Sequence, residues 1–126
     1  MKSIIKTLFH DQAVRKSAFS QRDVEIYQAA LEKPGVLTAA LNYYRQLVSP
    51  QTWLRNLGRS PAPVTAPTMI LWGEEDAFLK PHLAQDCQRF VVAPFEVNWV
   101  SHCGHWVQQE APQTVNRALL DFFRKE

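Results

Sequence analysis

Two short apolar runs, TMILW at residues 68–72 and FEVNWV at residues 95–100, have the length and composition of buried β-strands. A helical pattern opened by Pro81 lies between them, and another, entered through Pro112, follows the second run. The buried stripe expected for the intervening helix is Leu83, Cys87, Phe90 and Val91. The stripe expected for the final helix is Val115, Leu119, Phe122 and Phe123. This order is that of a parallel βαβ crossover with a covering helix, so the sequence predicts the α/β class.

The first half of the sequence has only helical apolar spacing, up to about residue 58. Ser20 is positioned to cap a first helix, and Pro34-Gly35 is expected to stop it. A second helix follows across VLTAALNYYRQLV, where Tyr43 and Tyr44 fall on adjacent apolar faces and periodicity cannot choose between them. Both tyrosines fit the ordinary role of core aromatics. The segment GRSPAPVTAP is typical of a connector, so we predict two parts, residues 1–62 and 63–126.

Composition excludes several classes of partner and location. The chain has 126 residues, is 46% hydrophobic and carries a net charge of only +2, which suits one folded domain without a nucleic-acid or anionic-membrane surface. The start, MKSIIKTLF, lacks the pattern of a secretory signal, and no later run is long enough to span a bilayer. Cys87 and Cys103 show no disulfide spacing. A cytoplasmic protein with reduced thiols is therefore expected.

Ionisable side chains follow both predicted strands. Glu74, Glu75 and Asp76 come just after the first strand, and His105 follows the second. Neighbouring parallel strands lie about 4.8 Å apart and end at one edge of the sheet, where open α/β sheets bind ligands. A carboxylate and an imidazole are thus expected to meet there. Such a pair can act as a general base, although the spacing alone does not say which carboxylate faces the histidine.

Other interpretations of the histidine-rich segment compete with this one. His105 alone could be an ordinary structural histidine. A metal cluster of His102, Cys103 and His105 is disfavoured, because structural zinc needs a fourth ligand and neither His10 nor His82 has suitable spacing. Cys103 could be a nucleophile next to His105, but neighbours on one turn rarely point at each other. No metal site is therefore expected in this segment.

The segments PTMILWGEEDAFL, SHCGHWVQQEAP and PGVLTAALNYYRQ together resemble the C-terminal part of epoxide hydrolases of the α/β-hydrolase fold. The resemblance runs from about Ser20 to the end and extends to haloalkane and fluoroacetate dehalogenases. It implies a helical cap portion at residues 1–62. It also implies that residues 63–126 form the C-terminal part of the core, with its last two parallel strands and their helices.

The resemblance also implies roles for individual residues. The G-E-x-D loop places the triad acid at Asp76, and the G-H-W signature places the general base at His105. The N-[WY]-Y-R segment of the cap places a proton-donating tyrosine at Tyr44, and Trp106 and Phe78 are the implied substrate-binding residues. Because the dehalogenases do not share the cap tyrosine, the resemblance favours hydrolysis of a small-molecule epoxide, or a related electrophile, to a vicinal diol through an ester intermediate. It implies no metal or organic cofactor.

One part of the family pattern has no counterpart in these residues. The family nucleophile is an aspartate on a sharp strand-to-helix elbow, preceded by an H-G-x-P loop, and neither motif occurs. Asp11 and Asp23 lie in polar, helical contexts. The sequence is therefore expected to lack the nucleophile-bearing N-terminal half of the fold and to expose apolar surface that this half would cover. The alternatives are a dehalogenase-like hydrolase and a non-catalytic binding module.

Overall fold

Strands β1 (Thr68–Gly73) and β2 (Phe95–Val100) pair in parallel in the computed structural model, which describes residues 5–58 and 60–124. The register runs from Thr68 opposite Phe95 to Gly73 opposite Val100, so both strands end side by side. The predicted parallel pair, joined through a helical crossover, is confirmed. Of the sequence predictions, the first four residues of the non-exported start and Arg59 of the connector lie outside the described residues.

The described parts of the chain also contain six α-helices. They are α1 (Gln21–Leu31), α2 (Val36–Leu47), α3 (Pro50–Asn56), α4 (His82–Asp86), α5 (Val107–Glu110) and α6 (Pro112–Phe123). A π-helical turn lies at Thr7–Asp11, and 3₁₀ turns lie at Lys16–Ala18 and Cys87–Phe90. None of the helices between residues 5 and 58 or 60 and 124 is both long and apolar enough to cross a membrane.

The start of α1 follows from its sequence. Ser20 Oγ accepts a hydrogen bond from the Asp23 backbone N–H, and Asp23 Oδ2 accepts one from the Ser20 N–H at 2.8 Å. This reciprocal capping box satisfies two N–H groups at the helix end, and it confirms the predicted cap. Gly35, whose φ of 80° suits glycine, then redirects the chain into α2.

The crossover helix departs from its predicted burial. Ala84 is fully buried, whereas Leu83 and Phe90 are 42% and 38% exposed, so the predicted stripe is wrong at those two positions. Phe90 lies in the 3₁₀ turn that follows Asp86, which does not keep the 3.6-residue period on which the stripe rests. Leu83 lies inside α4, where the neighbouring Ala84 is the residue that is buried. The final helix likewise buries Val115 but leaves Leu119 38% and Phe123 67% exposed, so its predicted stripe is wrong at those two positions.

Apolar surface is extensive on α2 and α3. Every residue of α2 is solvent-exposed, including both of its adjacent apolar faces. The large exposed side chains of these two helices are Val36, Leu37, Leu41, Tyr43, Tyr44, Leu47, Trp53 and Leu54. Contiguous apolar surface of this kind usually marks a face that contacts other polypeptide or a ligand.

Candidate active site

The structure brings Asp76 and His105 into direct contact at the carboxyl ends of the strands. Asp76 lies three residues beyond the end of β1, and His105 lies five beyond the end of β2. The His105 Nδ1 is 2.8 Å from Asp76 Oδ2. The Asp76 side chain is only 6% exposed, whereas that of His105 is 30% exposed. The imidazole is therefore anchored on its inner side and accessible on another.

Asp76 is held as a charged acceptor. Burial acts to raise the pKa of Asp76, but hydrogen bonds from His105 and from two backbone N–H groups outweigh it, so the pKa lies below the usual 3.8. Those N–H groups, from Phe78 and Leu79, donate to Asp76 Oδ1 at 2.8 and 3.0 Å. A carboxylate in this state fixes the proton on His105 Nδ1 and leaves Nε2 to accept a proton.

The two neighbouring glutamates, Glu74 and Glu75, contact groups other than the His105 ring. Glu75 Oε1 lies 3.4 Å from the Nδ1 atom of His102, and both side chains are more than half exposed. The backbone N–H groups of Glu74 and Glu75 donate to the carbonyls of Val100 and Cys103 at 3.1 and 3.0 Å. Of the three carboxylates that the spacing left open, only Asp76 contacts His105 within the described residues. Glu75 instead joins the acid-bearing loop, residues 74–79, to the histidine loop, residues 101–105, through its backbone.

Two aromatic rings flank the imidazole, and both were predicted site residues. Phe78 and Trp106 each lie edge-to-face with His105, with centroids 5.0 Å away. Phe78 is 45% exposed. Trp106 also contacts the N-terminal segment. Its Nε1 donates a hydrogen bond to the Leu8 carbonyl at 3.1 Å, and its ring centroid lies 4.6 Å from that of Phe9. Trp106 thus orients two parts of the chain as well as bordering the histidine.

The structure does not bring Tyr44 to this pair. Tyr44 lies on α2 and is 67% exposed, and its ring contacts that of Tyr43, with centroids 5.7 Å apart. Within residues 5–58 and 60–124, its hydroxyl makes no hydrogen bond. Tyr44 is therefore free to bind a further group, and its role as proton donor stays a prediction.

Cys103 is unsuited to nucleophilic attack. Its side chain is fully buried. Burial, together with the negative charge of Glu110, raises the pKa of the thiol to about 11, so the reactive thiolate is scarce at neutral pH. In the described part of the chain, no group of three or more histidine, cysteine or acidic side chains is arranged to hold a metal ion.

Sequence reasoning missed three residues that shape the site. Arg15 and Glu110 hold the histidine loop, residues 101–105, through hydrogen bonds to its backbone. Gly73, the last residue of β1, lies against the same loop: a Cβ atom there would be 2.1 Å from the Gly104 carbonyl oxygen. The glutamate five residues after His105 could have been noticed as the one charged residue between His105 and Pro112. Arg15 gives no such sequence signal, because it lies more than 80 residues before the loop that it contacts.

Known proteins are similar to this chain in both sequence and fold. No family model matches the chain. Epoxide hydrolase 3 of Xenopus tropicalis is 36% identical over 110 residues, which cover 85% of this chain and 28% of that protein. The AB hydrolase superfamily protein YfhM of Bacillus subtilis is 33% identical over 112 residues, covering 89% of this chain and 37% of that protein. The solved structure of the epoxide hydrolase CorEH superposes on 98% of this chain and 41% of its own, with a TM-score of 0.76 and 24% identity.

The chain has the fold of the C-terminal part of an α/β-hydrolase. Its sequence resembles epoxide hydrolases, as the three motif segments predicted. The chain spans about a third of the length of the curated relatives that it matches. In this α/β-hydrolase portion, β1 and β2 carry the acid-bearing loop and the histidine loop at one edge of the sheet.

Proposed function

We propose that this chain supplies the acid and base of an epoxide hydrolase that converts a small-molecule epoxide into a vicinal diol. The observation that carries the proposal is the Asp76–His105 contact of 2.8 Å at the carboxyl edge of a parallel sheet. The resemblance to epoxide hydrolases supports the choice of reaction. Residues 1–62 would form part of the cap, and residues 63–126 the C-terminal part of the core.

The reaction divides between this chain and a nucleophile outside its 126 residues. An aspartate carboxylate attacks one carbon of the epoxide and breaks its bond to oxygen, and the oxygen takes a proton from Tyr44. The product of this step is an ester between the enzyme and the substrate. His105 Nε2 then accepts a proton from water, and the hydroxide attacks the ester carbonyl. The imidazolium returns that proton to the departing alkoxide, which leaves as the diol, and the proton of the regenerated carboxylic acid restores the Tyr44 hydroxyl. Asp76 stabilises the imidazolium that forms.

The surroundings of His105 suit this second step. The Phe78 and Trp106 rings border the imidazole with apolar surface, and the His105 side chain is 30% exposed, which leaves part of it accessible to water. The exposed apolar faces of α2 and α3 support a contact with further polypeptide, which is where a nucleophile-bearing half of the fold would lie.

A joined protein tests this division of labour. The nucleophile-bearing upstream half of a related epoxide hydrolase is fused before this chain, and diol formation from an aryl epoxide is measured. We expect turnover by the fusion and none by residues 1–126 alone, because no ester forms without the nucleophile. Robust turnover by the 126-residue chain alone would show that a nucleophile lies within it. A folded fusion with no turnover would contradict the proposed reaction.

The proposed role of Tyr44 is tested in the same fusion by Tyr44→Phe. Loss of a proton donor is expected to lower the rate of epoxide opening by about 10²-fold or more, within the usual range for general acids. Thermal stability should change little, because the substitution keeps the aromatic ring and removes only a hydroxyl that makes no hydrogen bond within residues 5–58 and 60–124. Tyr43→Phe is the matched control, since Tyr43 is its neighbour and is 69% exposed. Equal losses of turnover in the two variants would return Tyr44 to an ordinary aromatic role.

A further inference from the structure

Glu110 is a buried carboxylate that the proposed chemistry does not use. It ends α5 and is only 4% exposed. Its Oε2 accepts a hydrogen bond from the Arg15 backbone N–H at 2.8 Å, and its Oε1 accepts one from the Gly104 N–H at 3.2 Å. Burial of a carboxylate is costly unless its oxygens are hydrogen-bonded. These two donors therefore hold the side chain in one position, and one of them belongs to the residue directly before His105.

The Cys103–Gly104 peptide unit is fixed at both of its polar ends. Its N–H donates to Glu110, and its carbonyl accepts from the Glu75 N–H at 3.0 Å. Glu75 is the neighbour of Asp76 in the acid-bearing loop. A single peptide plane thus connects the loop that carries the acid, the loop that carries the base and the buried carboxylate. Rotation of this plane would displace the His105 backbone and swing its ring relative to Asp76.

Arg15 holds the carbonyl side of the same loop. Its Nε donates to the His102 carbonyl at 2.9 Å and its Nη2 to the Ser101 carbonyl at 3.2 Å. Its Nη1 donates to the Glu110 carbonyl at 3.1 Å. The planar guanidinium presents these donors in a fixed fork, which a lysine ammonium cannot reproduce. Arg15 therefore holds the histidine loop and the end of α5 at a set separation.

From this geometry we propose that Glu110 and Arg15 are positioning residues that keep His105 in line with Asp76. Neither residue touches the reacting atoms: Glu110 acts through Gly104, and Arg15 acts through the carbonyls of the histidine loop. The assignment rests on the proposed role of His105. Accurate placement matters because a displacement of about 1 Å in a reacting group can cost about 10²-fold in rate.

The test reads the His105 ring directly by NMR of the 126-residue chain with ¹⁵N-labelled histidine. In the wild type, ring nitrogen shifts should report one tautomer with the proton on Nδ1, and the Gly104 amide should exchange slowly. Glu110→Gln keeps the shape of the side chain but presents an NH₂ group to one of the two N–H donors. We expect Gly104 exchange to accelerate about tenfold or more, and His105 to become a mixture of tautomers.

Arg15→Lys is the second variant, and it keeps the charge while losing the fork. It should also convert His105 into a mixture of tautomers. If Glu110→Gln does not fold, Arg15→Lys alone tests whether the histidine loop is held in place by these residues. Val115→Ala is the control for a purely structural loss, because it removes buried apolar volume from α6 and leaves the hydrogen bonds of the peptide unit in place. It should destabilise the chain and leave the His105 tautomer unchanged.

Two results would overturn the assignment. One is a Glu110→Gln or Arg15→Lys chain in which His105 keeps a single tautomer and Gly104 keeps its slow exchange. The other is a Val115→Ala chain that loses as much global stability as these two variants and shifts the His105 tautomer by as much as they do. Because no turnover is measured, failure of the proposed epoxide reaction would leave this result interpretable.

Discussion

His105→Gln is expected to trap the fused enzyme at its ester intermediate. Attack of the aspartate on the epoxide does not need the imidazole, so about one equivalent of substrate should react per enzyme. Hydrolysis of the ester does need it, and steady-state diol formation should fall by about 10²–10⁴-fold, the usual contribution of a general base. Rapid-quench kinetics would show an initial burst of substrate loss without matching diol, and mass spectrometry would show the added mass on the protein.

The control for this variant is His102→Gln. His102 lies in the same loop, but its side chain is 88% exposed and contacts the carboxylate of Glu75. Its replacement should leave steady-state turnover within about twofold. If His105→Gln kept near wild-type turnover, or if both variants lost it equally, the base of the reaction would be another group and the role of the Asp76–His105 contact would be structural.

Gly73→Ala is expected to have the largest effect on stability. A Cβ atom at this position would lie 2.1 Å from the Gly104 carbonyl oxygen and 2.4 Å from that of Cys103. Both neighbours are backbone atoms, so no side chain can move aside, and the end of β1 must separate from the histidine loop. We expect a loss of about 3 kcal/mol or more in the free energy of unfolding, at or beyond the upper end for overpacking. Urea unfolding followed by circular dichroism would measure it.

Gly35→Ala separates this steric effect from the general cost of replacing a glycine. Gly35 has open space around the position of a Cβ atom, and its φ of 80° makes alanine there cost only about 1–2 kcal/mol. The two losses should therefore differ clearly. If Gly73→Ala were no more destabilising than Gly35→Ala, the close approach of β1 to the histidine loop would be absent in solution.

The parallel strand pair was predictable because its signals are local. TMILW and FEVNWV are short, largely apolar runs with a helical pattern between them, and a helical crossover is the connection that parallel neighbours require. The contact between Asp76 and His105 follows from that topology, since both residues sit just beyond strand ends that must share an edge. The spacing did not identify which acidic residue contacts His105, because the three carboxylates follow one another directly after the strand.

The parts that escaped prediction depend on distant contacts or on exact backbone shape. The burial of Phe90 was wrongly predicted because a 3₁₀ turn replaces the α-helix after Asp86, which periodicity does not reveal, and that of Leu83 because α4 buries the neighbouring Ala84 instead. Arg15 reads as one scattered basic residue until the fold brings it to the histidine loop. The tight approach at Gly73 is set by the backbone of a loop 30 residues further on, and its sequence signal is only that of a strand-ending glycine.

The hydrogen bond between the Arg15 N–H and Glu110 joins positions 95 residues apart, and this has a consequence for the order of folding. The capping box of α1 spans three residues and needs no distant partner. Contacts of high sequence separation require closure of a long loop and are slow to form. The histidine loop therefore reaches its final shape only after the local helices, and during synthesis only after residue 110 has left the ribosome. The loop that carries His105 is therefore among the last parts of the chain to fold.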